Sequence, residues 1–84
     1  MGTSVEDLSE WFDRGVEQGA THMIVVCDTF SYEDYPVYVK KGEDVRDVYK
    51  KHDGSNMQKV MEVYSLTKNK TSQLQGGTRV FNFD

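Results

Sequence analysis

The residues best suited to chemistry lie in one stretch, from His22 to Val39. An apolar run there leads into a loop with three carboxylates and three hydroxyl groups: Asp28, Glu33, Asp34, Thr29, Ser31 and Tyr32. Oxygen ligands at this density could hold a hard cation such as Mg²⁺ or Ca²⁺. The spacing lacks the alternating ligands, central glycine and late glutamate of an EF-hand. A solvated turn that contacts a partner explains the loop better, and we predict no metal site and no cofactor.

A thiol and two imidazoles could in principle supply a nucleophile and a base. Cys27 is the only cysteine, and the histidines are His22 and His52. Side chains alternate between the faces of a strand, so His22 and Cys27, five residues apart, point to opposite sides. Cys27 also lies within an apolar run, where a free cysteine behaves as a small hydrophobic residue. We therefore predict no catalytic residue and expect that the protein is not an enzyme.

Tyrosine side chains give the clearest functional signal in this stretch. Tyrosine is favoured at protein interfaces because it combines a large contact area with a polar group. Tyr35 and Tyr38 are three residues apart, so they face opposite ways in a strand and one is expected to face outward. We predict a partner-binding surface formed by acidic and aromatic side chains of the hairpin: Asp28, Tyr32, Glu33, Asp34, Tyr35 and Tyr38.

Composition limits the classes of function. The chain has 84 residues, enough for a single domain (1–84) with a small core, which favours stabilisation by a second copy as a homodimer or higher homo-oligomer. Its net charge of −4 argues against a nucleic-acid binder, which normally has a basic surface, and is compatible with a basic partner. A single cysteine, no secretory signal and no apolar run of membrane-spanning length lead us to expect a cytoplasmic protein without membrane contact.

Two helices are predicted on either side of the hairpin. The first covers residues 5–18, because apolar residues recur at helical spacing after a capping Ser4. Gly19 is placed to end this helix in a left-handed conformation. The second helix covers residues 43–52, where acidic residues open the segment and basic residues close it, as the helix dipole favours.

The hairpin itself is predicted as two antiparallel strands. Residues 23–27 form a short, β-branched apolar run, typical of a central strand that is buried on both faces. Residues 31–34 form the turn, and residues 35–39 alternate between faces as a second strand. Pro36 lacks an N–H group, so it belongs at the start of this strand or on a sheet edge.

The remaining segments complete the predicted fold. Residues 57–66 fit either a helix or a strand, and we adopt a strand over about 59–66 because a third strand would stabilise the hairpin. A helical turn is expected near 71–75, and residues 79–83 predict a short closing strand or a docked tail. The pattern indicates an α+β fold: a small two-layer sandwich of order α-β-β-α-β, with helices on one face of an antiparallel sheet.

Two specific runs occur in the hairpin: Cys27-Asp28-Thr29-Phe30 and Tyr35-Pro36-Val37-Tyr38-Val39. With these runs, the chain resembles a family of small, mostly uncharacterised accessory proteins encoded by tailed bacteriophages. The resemblance extends over nearly the whole chain up to Leu66. The resemblance implies no activity and no functional residues. It implies a setting, the cytoplasm of an infected bacterium, where small acidic proteins often inhibit host machinery.

Two functions are expected from these observations. The first is a non-enzymatic phage accessory protein that binds and inhibits a host defence or regulatory factor through the acidic, tyrosine-rich hairpin. The alternative is a sponge that sequesters a nucleotide second messenger of host anti-phage defence at an oligomer interface. Such a sponge needs basic side chains that converge on a pocket, and the candidates are Arg14, Lys40, Lys41, Arg46 and Arg79.

Overall fold

The computed structural model describes residues 4–54, 57–74 and 80–83. Its elements follow one another as α1 (Val5–Glu17), β1 (Ala20–Asp28), β2 (Glu33–Lys40), α2 (Val45–His52), β3 (Gln58–Ser65) and α3 (Lys70–Leu74). The strands form one antiparallel sheet in the order β2-β1-β3. The predicted α+β class and element order are confirmed. No helix in these described ranges is long and apolar enough to cross a membrane.

Local sequence signals explain where the elements begin and end. The Ser4 side chain caps α1 by accepting a hydrogen bond from the Asp7 N–H at 3.2 Å, and Gly19 follows the helix with a φ of +76°. The helix α2 begins later than the predicted residue 43, because Asp44 is its cap and accepts from the Arg46 N–H at 2.9 Å. Each cap satisfies an N–H group that has no partner within its helix.

The ambiguous segment before the C-terminus is a strand, as predicted. It is β3, which pairs with β1 on the side opposite β2 and gives the hairpin its third strand. The strand β2 is therefore an edge strand, as expected for a segment that contains Pro36. The predicted helical turn is α3, although residue 75 of that prediction lies outside the described residues.

The helices cover both faces of the sheet, which differs from the predicted two-layer arrangement. One core cluster joins α1 to the sheet and contains Leu8, Phe12, Ala20, Met23, Val25, Tyr64 and Leu66. The other joins α2 to the opposite face and contains Ile24, Val26, Val39, Val45, Val48, Val60 and Val63. The cause lies in β1, whose residues from Met23 to Val26 are all fully buried. A strand that is apolar on both faces needs a covering layer on each.

The C-terminal segment docks along the outer edge of β3. The Val63 N–H donates to the Val80 carbonyl at 2.7 Å, and Val63 and Phe81 form a single parallel bridge. The ring of Phe83 packs edge-on against the ring of Tyr49, with 5.3 Å between centroids. The docked tail is thus confirmed, and it binds its own chain. The first residue of the predicted segment lies outside the described residues.

Candidate functional site

The loop between β1 and β2 covers residues 29–32, and we call it the hairpin loop. Asp28 organises it: Oδ1 accepts from the N–H groups of Phe30 at 2.8 Å and Ser31 at 3.4 Å. The Asp28 carbonyl accepts from the Tyr32 N–H at 2.6 Å. An aspartate that binds backbone N–H groups ahead of it in this way fixes a turn. The loop therefore comes earlier than the predicted 31–34, and the Asp28 carboxylate is engaged within it.

Two aromatic side chains project from the hairpin loop. Phe30 is 78% exposed and Tyr32 is 66% exposed. Tyr32 also has a φ of +59°, in the left-handed region, which costs a non-glycine residue about 1–2 kcal/mol. The binding surface predicted from the sequence includes Tyr32 but not Phe30. The exposure of Phe30 could have been predicted from its position between Thr29 and Ser31, because an aromatic ring within a polar turn lies away from the core.

A second turn reaches the same end of the sheet just before β3. Asp28 pairs with Gln58 in the sheet register, and the Thr29 N–H donates to the Met57 carbonyl at 2.7 Å. Met57 is 64% exposed and has a φ of +59°, like Tyr32. We call Phe30, Tyr32 and Met57 the apolar tip. Met57 is absent from the predicted binding surface, because the sequence places it only at the start of a segment, 57–66, that fits either a helix or a strand.

Tyr35 and Tyr38 face opposite sides of the sheet, and both are only partly exposed. Tyr38 packs against the α1 core and donates its hydroxyl to the Trp11 carbonyl at 2.8 Å. Tyr35 packs against the α2 core. Burial raises the pKa of both phenols, and the Asp28 charge raises that of Tyr35 further. The prediction that one of them faces outward is wrong, because a helix covers each face of the sheet.

The remaining acids of the hairpin differ in exposure. Glu33 is exposed, whereas Asp34 is partly buried and lies opposite Cys27 in the sheet. Burial, followed by the hydrogen bond and charge of Asp34, raises the pKa of the Cys27 thiol. A thiol of raised pKa is a weak nucleophile at neutral pH. The His52 ring contacts a residue of β3, with Nδ1 2.6 Å from the Gln58 Oε1.

Among the basic residues named for a nucleotide site, those that the structure describes do not share one element: Arg14, Lys40, Lys41 and Arg46. Arg14 is on α1 and pairs with Glu10 at 3.2 Å. Arg46 is on α2, across the sheet, with its guanidinium carbon 4.6 Å from the centroid of the Phe83 ring. Lys40 ends β2 and donates its Nζ to the Gln18 Oε1 at 2.9 Å. Arg79 lies outside the described residues.

A shallow pocket of about 330 Å³ opens between α1 and α3. Its lining consists of Val5, Ser9, Lys70, Thr71 and Leu74, so it contains none of the predicted binding residues. The one ammonium of this lining, on Lys70, donates to the Asp13 carboxylate at 2.8 Å. The pocket is therefore separate from both predicted sites, and its charged group already has a partner.

Comparisons with protein-family models, with curated proteins and with solved structures find no match to this chain. Among the described residues, no group of three or more histidine, cysteine, aspartate or glutamate side chains is arranged to hold a metal ion. The candidate site therefore depends on the geometry of the molecule itself. That geometry presents exposed aromatic and apolar side chains at the loop end of the sheet.

Proposed function

We propose that this protein is a non-enzymatic binding protein that engages a partner protein through its hairpin loop. The observation that carries the proposal is the exposure of Phe30 and Tyr32 on a turn that Asp28 holds in place. Aromatic side chains contribute strongly to binding energy at interfaces. A loop that is already ordered loses little conformational entropy when it binds.

The resemblance to tailed-phage accessory proteins supports a biological setting for this proposal. In that setting the protein acts in the cytoplasm of an infected bacterium and inhibits a host defence or regulatory factor. The net charge of −4 suits a host protein with a basic contact surface. The nucleotide sponge needs basic side chains from two copies to meet at an interface, and it stays a prediction from the sequence.

The experiment compares the wild-type protein with the double variant Phe30→Ala/Tyr32→Ala. Each is used to capture proteins from a bacterial lysate, the captured protein is identified by mass spectrometry, and its Kd is measured with purified components. We expect the double substitution to weaken binding at least about tenfold, or about 1.4 kcal/mol. Both side chains are exposed, so the variant should fold normally.

The matched control is Val16→Ala/Phe81→Ala, which removes two other exposed apolar side chains. Val16 lies on α1 and Phe81 in the docked tail, so neither belongs to the hairpin loop. This control should keep the wild-type Kd. If the Phe30→Ala/Tyr32→Ala protein also keeps that Kd, the hairpin loop is not the contact surface and the proposal is wrong.

A further inference from the structure

Exposed apolar side chains are concentrated at the loop end of the sheet. Six large apolar side chains are exposed in the described residues, and three of them form the apolar tip. The hydrogen bond from the Thr29 N–H to the Met57 carbonyl, at 2.7 Å, ties the two turns of the tip together. The exposed surface at this end is therefore built from two turns, and the hairpin loop supplies only one of them.

The backbone at the apolar tip is unusual for the residues that it carries. Within the described ranges, the non-glycine residues with positive φ are Tyr32 and Met57, both at +59°. The chain places glycine at its other left-handed positions there: Gly19, Gly42 and Gly54. Glycine adopts this conformation without steric cost, so folding alone would favour it at the tip as well. Strained residues of this kind are concentrated at binding sites.

Charge differs between the two sides of the apolar tip. The hairpin side carries Glu33 and Asp34, and positions 28–35 contain no lysine or arginine. The β3 side carries more basic than acidic residues: Lys59 in β3 and two lysines in the last turn of α2 stand beside one carboxylate, Asp53, which accepts from the Val60 N–H at 3.2 Å. A partner that covers the tip therefore meets carboxylates beside Phe30 and Tyr32. Basic side chains of the partner at that place would be attracted to these carboxylates, which would steer and orient the partner.

We infer that Met57 forms one contact surface with the hairpin loop, and that this surface takes an amphipathic protein segment whose basic side chains meet Glu33 and Asp34. The inference rests on the proposed function and adds a residue and a class of partner to it. Met57 supplies the apolar contact on the β3 side, and the two carboxylates set the orientation of the bound segment.

The test uses two synthetic helical peptides as probes, one of leucine and lysine and its charge-reversed twin of leucine and glutamate. Each is titrated into the ¹⁵N-labelled full chain, and the backbone amide shifts are followed by NMR. The leucine–lysine peptide should shift amides in the hairpin loop and at Met57 saturably, and bind at least threefold tighter than its twin. Glu33→Lys should remove that preference.

The variant Met57→Gly separates binding from folding. It relieves the left-handed backbone, so its melting temperature should be equal to or higher than that of the wild type, while its affinity for the leucine–lysine peptide falls at least threefold. Val16→Ala, on α1, is the matched control and should change neither value. If Met57→Gly keeps the wild-type affinity, Met57 is not part of the contact surface and the inference is wrong. The proposed function would still hold if Phe30→Ala/Tyr32→Ala loses its captured partner.

Two other outcomes overturn the inferred partner class. One is equal binding of the two peptides, or the absence of shifts at the apolar tip. The other is self-association of the unliganded chain through the same amides, seen as concentration-dependent shifts and a dimer in sedimentation velocity, which would assign the surface to a second copy. Loss of partner capture in Phe30→Ala/Tyr32→Ala remains a separate measurement, and it alone decides the proposed function.

Discussion

The two ends of the β1–β2 hairpin use tyrosine in opposite ways. Near its base, Tyr38 packs against the α1 core and its hydroxyl donates to the Trp11 carbonyl at 2.8 Å. At its loop, Tyr32 is 66% exposed and has a left-handed backbone. One ring stabilises the fold, whereas the other sits on a backbone conformation that costs free energy. The surroundings decide the role of each tyrosine, and the residue type does not.

The base of the hairpin depends on a missing side chain. Gly15 lies in α1 where a Cβ atom would stand 2.6 Å from the Leu66 Cδ1 and 2.8 Å from the Tyr38 Cε1. The tyrosine ring can therefore lie directly against the helix backbone. Nothing comparable covers Tyr32 or Phe30, which are both exposed. The base is closely packed, and the loop is ordered but uncovered.

The largest expected effect is a difference between two alanine substitutions. Tyr38→Ala removes a packed ring and its hydrogen bond, so it should lower the free energy of unfolding by about 2–3 kcal/mol. Tyr32→Ala removes an exposed ring and should change it by less than about 0.5 kcal/mol. Urea denaturation measures both. Equal losses in the two variants would contradict the distinction between base and loop.

Alkaline pH should lower the free energy of unfolding through Tyr64, which lies in the core cluster against which Tyr38 packs. Burial, followed by the hydrogen bond to Glu62, raises the pKa of the Tyr64 phenol well above its ordinary value. Below about pH 10 both the folded and the unfolded chain keep this proton. Above it, the unfolded chain loses the proton while the folded chain retains it, so stability should fall by up to about 1.4 kcal/mol per pH unit.

The measurement for this prediction is urea denaturation between pH 9 and pH 12, compared with Tyr64→Phe. The phenylalanine variant has no proton to lose at this site, so its stability should fall less steeply over the same range. A slope identical to that of the wild type would show that the Tyr64 phenol does not control the alkaline transition.

A side chain at Gly15 should destabilise the base of the hairpin without affecting the hairpin loop. Gly15→Ala gains helix propensity of about 1 kcal/mol but pushes against the Tyr38 ring, and overpacking of this kind costs about 1–3 kcal/mol. We expect a net loss of about 1 kcal/mol in thermal or urea unfolding, and no change in partner affinity. Glu17→Ala is the control, because Glu17 is an exposed residue of the same helix and its replacement does not overpack the core. A stabilised Gly15→Ala protein would mean that the ring can move away freely.

The smallest effect is expected at the turn that carries the exposed rings. Asp28→Ala removes the acceptor for the Phe30 and Ser31 N–H groups, which should cost about 0.5–1 kcal/mol because water can replace part of it. Asp28→Asn keeps the acceptor oxygen and removes only the charge, so it should keep most of the stability. Amide exchange at Phe30 reports the turn directly. Equal exchange rates in both variants would show that the side chain does not hold the loop.

Much of the fold could be predicted from the sequence because local patterns determine it. The helical spacing that ends before Gly19 predicted α1, and Pro36 predicted an edge strand. The placement of the helices could have been predicted too, because the apolar run of residues 23–27 is expected to be buried on both faces, which requires a layer on each. The two-layer prediction did not apply that requirement.

The site was less predictable, because exposure depends on what the tertiary fold covers. Tyr35 and Tyr38 had the alternation of a half-exposed strand, and only the opposite placement of α1 and α2 explains why both are packed. Met57 could not be assigned to the site from its neighbours in the sequence. It reaches the hairpin loop through the strand register, in which Asp28 lies opposite Gln58.

The most direct test of the central claim is the affinity and stability of one variant, Tyr32→Gly. The claim is that the ring at this position serves binding and does not serve folding. Glycine removes the ring and accepts the backbone φ of +59°. We predict that Tyr32→Gly is at least as stable as Tyr32→Ala and binds the captured partner at least about tenfold more weakly than the wild type. A destabilised variant that keeps the wild-type Kd would contradict the claim.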